Sequence, residues 1–574
     1  MWQSYSRDAD TTILSNDYAL ILGSITPVTN KMISSHSIQT NPVNQERTHW
    51  KQVLVQILVV TAFLSLGFLL DGNMGGGNEV NILPFARQYA DPTWIPGDWY
   101  LNQPPGYRIP FLALFGSMAA AWGFLATSLI GRLLCYTLMA SGLVFLGRKL
   151  GLSLPLLLLA VGLFLYVDDH QGIVAREWLV GGVEPKAVAY GLLLFVIGLM
   201  LTGHYRLMAL LLGLATFFHI FVGGWASLVI GGWLLLRRHH HFRSIRYLGS
   251  IVGIYLIASA LSIYTVVEHL LTPSPTGAVE PSYVYVFIRT PHHLNPLYWS
   301  QQWWIKLAVY LLVLALSVGV LRRKQQSSEN AVRMGLAEFT LLTLIPFGLG
   351  LAIAPFDDQG KFLQYYPFRL GDVMLPLNTC LLFACALEQS FTGKARRILL
   401  FLCIVLLSGA CSIQAVQFHQ ALVALSEFPS EQQGIDSEGK ALCNWIRTNT
   451  PDDAVIVTPP AELTPFTWLA QRPTVAKFKF IPPTKVGVLD WYERLSDLSG
   501  TFNPWPQPGE RVTFSKMKQA LITGYNSLTT DQAQGVMSKY GADYLVTSST
   551  QPLDLAIAYR NSRYILYAKS SDGE

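Results

Sequence analysis

Residues Asp71 to Arg108 read DGNMGGGNEVNILPFARQYADPTWIPGDWYLNQPPGYR and follow directly on an apolar run. Where a membrane protein needs only a turn, this stretch carries the carboxylates Asp71, Glu79, Asp91 and Asp98 and the arginines Arg87 and Arg108. Trp94, Trp99 and Tyr100 cluster around Gly97, and Pro104-Pro105 makes a turn. A linker has no use for such side chains, so the segment reads as a folded loop between membrane spans that carries chemistry.

Working outward, the chain has 574 residues, 51% of them hydrophobic and 13% charged. A soluble globule is usually about one quarter charged, so this is an integral membrane protein. Apolar runs able to cross the hydrocarbon layer as helices place eleven spans near 53–70, 125–147, 152–167, 187–203, 206–218, 220–236, 247–266, 305–321, 336–354, 371–388 and 398–417. The fifth and sixth are equally readable as one long kinked helix. A further apolar segment, Ile109 to Gly123, is expected to lie along the membrane surface. With that layout and the N-terminus inside, cytoplasmic segments hold more than twice as many Lys and Arg as the outer loops, as the positive-inside rule requires. Making 109–123 a span would reverse the bias. The net charge of +5 therefore reflects topology and not nucleic acid.

Residues 1–52 are polar and read as a disordered cytoplasmic tail, with Met32 an alternative start. The transmembrane domain is expected over 53–418. Charge and turn residues return from about His419, so 419–574 is expected to be an exported soluble α/β domain. Its strands are expected at 454–458, 475–480, 544–547 and 564–568, and its helices at 439–448, 490–498 and 530–540. The fold class is thus mainly α, a polytopic helical membrane protein with a small α/β domain at its C-terminus. Five of the six cysteines lie in or beside apolar helices, leaving Cys443 alone in the tail, so no disulfide framework is available.

Charged groups in or beside a membrane are costly and usually face a cavity or a partner. Besides the first loop, four outer segments carry them: 168–186, Phe218-His219, 288–296 and 354–372. Glu79 opens a helical pattern with Pro84 in its second turn, and reads either as a first-turn acid complementing the helix dipole or as a base. Asp71 marks the mouth of the first span, and Asp98 sits in a Gly97-Asp98-Trp99 turn. Glu184 reads as a partner of Lys186, or as a second acid that positions an acceptor or a divalent cation such as Mg or Mn. Arg176 and Glu177 read as a local pair. His219 in TFFHIFVGGW reads as a packing residue or a ligand contact. In RTPHH, Arg289, His292 and His293 share one Pro-rich loop. Arg369 and Asp372 form PFRLGD, either as a mutual pair or with Arg289 and Arg369 holding a lipid phosphate. Trp299, Trp303 and Trp304 are expected to form an interfacial belt.

NEVNILPFARQY followed by GDWYLNQPPGY resembles the first outer loop of the GT-C superfamily of polyprenyl-phosphate-dependent glycosyltransferases, whose loops commonly read DE, then a helix ending in AR, then GDW and a PP turn. Order and spacing are similar, the surface helix at 109–123 fits, and Glu184 matches a second acid in the next outer loop. The likeness covers about residues 53 to 240. Asn78 stands where that superfamily typically has Asp, so the role of base passes to Glu79 or Asp71. GVEPKAVAY, FFHIFVGGW, RTPHHLNP, YPFRLGD and WIRTNTPDDAVIVTPP are also similar to a group of bacterial, largely cyanobacterial, uncharacterised polytopic proteins, over nearly the whole chain.

The GT-C resemblance implies a bacterial inner-membrane glycosyltransferase using a polyprenyl-phosphate-linked sugar on the periplasmic face. Glu79 would deprotonate the acceptor, Glu184 would position it or a metal, and Arg289 and Arg369 would hold the leaving phosphate. The periplasmic C-terminal domain would cap the cavity or select the acceptor. Two other readings use the same residues: a flippase or transporter of lipid-linked glycans without a base, and an assembly protein on a degenerate fold.

Overall fold

The computed structural model describes residues 42–71, 74, 77–167, 170–237, 244–275, 279–323, 328–429, 433–506, 510 and 513–569. The disorder expected of the first 41 residues, the start at Met32 and the acids Asp168 and Asp169 lie outside these. Helix α1, Pro42–Phe68, begins well before the expected span, so residues 42–52 are helical rather than part of a tail.

Among the described residues, seven helices are long and apolar enough to cross a membrane. Five of them are straightforward: α1, α8 (Ile245–Leu271), α9 (Gln301–Arg322), α10 (Ser328–Ile353) and α11 (Arg369–Ser390). The sixth is α12, Gly393–Val423. It continues through residues 419–423, past the domain boundary expected at 418. The seventh, α3 (Ile109–Lys149), is two helices meeting at Gly123, whose φ of 76° no L side chain adopts easily. The break falls where the surface segment was expected to end and the second span to begin.

Four shorter apolar helices occupy the remaining expected spans: α4 (Leu154–Tyr166), α5 (Pro185–Leu201), α6 (Tyr205–Phe218) and α7 (Ile220–Leu236). At 13 to 17 residues they rise only about 20 to 26 Å. The stretch 206–236 is two helices, broken at His219, whose extended backbone lets its Nδ1 accept from Val222 N at 3.3 Å. The spans differ in surroundings: α11 is buried nearly all round, whereas α12 lies at the periphery.

Helix α2, Glu79–Ala90, packs against α3 and lies in the loop that follows α1. The C-terminal domain has a four-stranded sheet, order β1-β2-β4-β3, comprising Ile456–Val457, Tyr544–Ser548, Tyr564–Ala568 and Ile557–Arg560 in that spatial order. β1 runs parallel to β2, and the other pairs are antiparallel. Helices α13 (Ser437–Asn449), α14 (Lys485–Asp497), α15 (Phe514–Tyr525) and α16 (Thr530–Tyr540) cover it. The expected strand at 475–480 does not form, because Phe478 N bonds the Pro460 carbonyl and Phe480 N bonds back to Lys477 instead of joining a ladder. Trp299 is not in an interfacial belt: it is buried against Phe368 and Phe347.

Candidate functional site

The first loop supplies two different things. Glu79, fully buried, accepts from Arg132 Nε at 2.7 Å, Ser128 Oγ at 2.7 Å and Val183 N at 2.7 Å. Asp71 Oδ1 takes Arg132 Nη1 at 2.6 Å. Arg132 belongs to the second span, so two carboxylates at the mouth of the bundle neutralise a guanidinium that would otherwise be charged in an apolar setting. Gly182 permits this approach, since a Cβ there would lie 2.9 Å from Glu79 Oε1.

The rest of the loop fastens the C-terminal region. Asp98 accepts from Leu101 N at 2.7 Å and, across the chain, from Thr474 N at 3.0 Å. Burial pushes its carboxyl up to about 6 against those hydrogen bonds. Trp94 Nε1 donates to Gln471 at 3.1 Å, Tyr100 packs on Phe480, and Arg494 lies over Trp99 at 4.5 Å.

The loop between α4 and α5 is organised by Asp372. Its Oδ1 accepts from the backbone N–H groups of Ile173, Val174 and Ala175 at 2.7 to 3.0 Å, and its Oδ2 from that of Glu177 at 3.1 Å. Asp372 is therefore spoken for, and Arg369 pairs with Glu177 instead, through Nε and Nη2 at 2.8 Å each. Lys186 Nζ approaches Glu177 at 3.3 Å and Glu184 at 4.0 Å. Burial opposes ionisation of Glu177, but Arg369 and Lys186 hold it well below the usual carboxylate range. Arg176 leaves Glu177 and lies over Trp303 at 5.0 Å. Arg369 Nη1 also stands 3.2 Å from His219 Nε2, and His293 Nδ1 meets the Ala175 carbonyl.

All five polar segments meet in one cavity of about 480 Å³. The membrane side of its wall includes Asn78, Arg108, Glu184, Lys186, Arg289 and Arg369. The C-terminal domain adds Glu462, Lys477, Lys479 and Lys518, with Phe478 and Phe514 between them. Among the described residues seven cationic side chains thus face two carboxylates, which favours negative charge in the cavity. Burial raises the Glu184 carboxyl above its ordinary range, offset in part by Lys186 and a hydrogen bond with Asn78. Burial lowers Lys477 to about 7 and Lys479 to about 8, Arg289 assisting in the second case. His292 and His293 are lowered to about 2 and about 4, burial again leading, so both rings are neutral at physiological pH.

Of the expected site residues, Glu184, His219, Arg289, His292, His293 and Arg369 line this cavity, whereas Asp71, Glu79, Asp98 and Asp372 do not. Asn78 does line it, and its side chain turns to Glu184 rather than capping α2. Among the described residues no three His, Cys, Asp or Glu side chains gather as a metal needs. The cavity acids Glu184 and Glu462 each have a lysine as electrostatic neighbour. This donor set does not fit the Mg or Mn considered above.

Three groups escaped the sequence reading. Arg132, within GRLLCY, was legible as a charge inside a span. Lys477 and Lys479 alternate with phenylalanines in VAKFKF, a pattern that reads as a strand. Lys518 lies in an ordinary amphipathic helix and gave no signal.

A family model described as "Domain of unknown function (DUF6798)" matches residues 437–498. No curated protein matches the chain. Among solved structures, the chain is similar to ArnT from Cupriavidus metallidurans in the apo state, with 12% identity and a TM-score of 0.44, covering 92% of this chain and 98% of that one. It is also similar to ArnT from the same organism bound to undecaprenyl phosphate, with 10% identity and a TM-score of 0.39, covering 92% and 99%.

Proposed function

We propose that the chain is a membrane glycosyltransferase that moves a sugar from a polyprenyl-phosphate donor to an acceptor hydroxyl on the periplasmic face, with Glu184 as the base. The observation that carries this is the position of Glu184 on the wall of a cation-rich cavity, while Glu79 is enclosed by three donors away from it. A base must reach the proton it takes. An acid whose pKa burial has raised is better matched to neutral pH than an ordinary carboxylate.

In the step, the Glu184 carboxylate takes the acceptor's hydroxyl proton as that oxygen bonds to the anomeric carbon. The bond from that carbon to the donor phosphate oxygen breaks, and the polyprenyl phosphate leaves with the electron pair. Arg289 is the cation best suited to receive that phosphate, because Arg369 is already occupied by Glu177. Placement on the outer face rests on the distribution of Lys and Arg in the sequence.

The test is turnover of a polyprenyl-phosphate-linked sugar by purified full-length protein. Glu184→Gln should lower turnover about 10²- to 10⁴-fold and leave binding of the donor within about twofold. Undiminished turnover in Glu184→Gln removes the assignment of the base. Absence of any transfer by wild-type protein that binds the donor, with movement of the lipid between leaflets, replaces the enzyme by a flippase.

A further inference from the structure

Arg289 ends a short helical segment, Val284–Arg289, that packs against the C-terminal domain. Its guanidinium lies 5.5 Å from the ring centroid of Phe478 and 5.7 Å from that of Phe514, both in that domain. Its Nη2 donates to the Lys479 carbonyl at 3.2 Å, its buried Nε has no hydrogen-bond partner, and no carboxylate pairs with it among the described residues. Two aromatic faces and a peptide carbonyl hold the group without neutralising it.

Two further cations converge on the same place. Lys479 and Lys518 both line the cavity. Arg289 and Lys518 act on Lys479 as like charges, and Glu184 acts on it as an opposite one. A buried Arg289 held beside two lysines is destabilised by like charge unless an anion lies beside it. Arg289 comes from the membrane domain and the two lysines from the C-terminal one, so the cluster exists only where the domains meet.

We infer that Arg289, Lys479 and Lys518 form a phosphate subsite across the seam, which makes the C-terminal domain part of the ligand-binding site and not merely a cap. Arg289 supplies the fixed, planar donor and the lysines supply point charges that adapt to a tetrahedral anion. The subsite rests on the reading of the cavity as a site for a phosphate lipid in the choice of probe, and its test needs no turnover.

The test is equilibrium binding to the full-length protein in lipid nanodiscs, with a polyprenyl phosphate, the polyprenol of the same length and inorganic phosphate as probes. Wild-type protein should prefer the phosphate lipid to the alcohol by about tenfold or more. Lys518→Ala and Lys479→Gln should each erase most of that preference while leaving polyprenol binding unchanged. Lys518 is exposed, so its substitution leaves folding intact. Lys539→Ala, which removes an exposed lysine paired with Glu493 and Asp497, should change nothing. Competition by inorganic phosphate with the same dependence on Lys518 assigns the subsite to phosphate as such, and insensitivity to inorganic phosphate assigns it to the lipid headgroup. Unchanged preference in both Lys518→Ala and Lys479→Gln overturns the subsite. Loss of transfer in Glu184→Gln with seam binding intact separates this outcome from that of the catalytic assignment.

Discussion

Glu79 and Glu184 are both buried glutamates at the N-terminal ends of helices, and the contrast between them shows what makes an acid available. Glu79 opens α2 with 0% of its surface exposed, and Glu184 precedes α5 with 8%. Burial does not separate them. The number of donors does: Arg132, Ser128 and Val183 satisfy both oxygens of Glu79, while Glu184 has the Asn78 side chain, an ammonium 4.0 Å away and a cavity in front of it. The first acid holds the bundle together. The second is left able to exchange a proton.

The largest effect that can break this comparison is on stability. Removing Glu79 leaves the guanidinium of Arg132 under-compensated among apolar helices. Glu79→Ala should therefore cost about 3 to 5 kcal/mol, read as a drop in thermal midpoint in detergent. Glu184→Gln should cost under about 1 kcal/mol, since burial already disfavours its charged form. Similar melting of the two variants would mean that the division of labour is false. Replacing Glu79 and Arg132 together by apolar residues should recover most of the loss, because the penalty lies in the unpaired charge.

Next in size is Asp372, whose loss leaves four backbone N–H groups of the loop between α4 and α5 without their acceptor. Asp372→Ala should cost about 3 kcal/mol and increase hydrogen exchange at residues 173–177, with Glu79 and its partners unaffected. A smaller effect is expected of Gly182→Ala, whose Cβ would press on Glu79 Oε1 at 2.9 Å. It should destabilise by about 1 to 3 kcal/mol without changing binding in the cavity. If Gly182→Ala alters binding and spares stability, the two glutamates are not independent.

The same contrast explains what could be read from sequence. Spans were legible because a hydrocarbon layer demands long apolar runs, and the break after Ile109 to Gly123 was legible because charge bias forbade a twelfth crossing. That five polar segments share one cavity followed from their lying on one side of those spans. Which acid faces the cavity did not follow, since it depends on partners distant in the chain: Glu79 meets Arg132 and Val183, and Asp372 meets a loop about two hundred residues earlier. Local patterns suggested an Arg369-Asp372 pair, yet Glu177 takes the arginine. VAKFKF shows the same limit, because alternation of apolar and polar residues suggests a strand with one wet face. Here the lysines instead point into a cavity shared with another domain.

The smallest predicted effect sharpens the side of the comparison that belongs to the cavity. Burial, with Arg289 adding, sets the Lys479 ammonium at about 8 against an ordinary 10.5. The cationic form that attracts phosphate is then present below about pH 8 and lost above it. Polyprenyl phosphate binding should weaken severalfold, at most about tenfold, between pH 7 and pH 9, with the midpoint displaced upward because a bound anion favours the protonated lysine. Of the groups that burial shifts toward this range, only Lys477 also loses positive charge as pH rises, and it does so at lower pH. His292 and His293, at about 2 and about 4, stay neutral throughout. Ionisation of a phosphate monoester near pH 6 acts in the opposite direction. Lys477, at about 7, donates to the carbonyls of Pro459 and Glu462, and Lys477→Met should leave the profile unchanged. Lys479→Arg keeps its charge across the range and should flatten the profile. A decline that persists in Lys479→Arg would assign the titration to another group and remove Lys479 from the site.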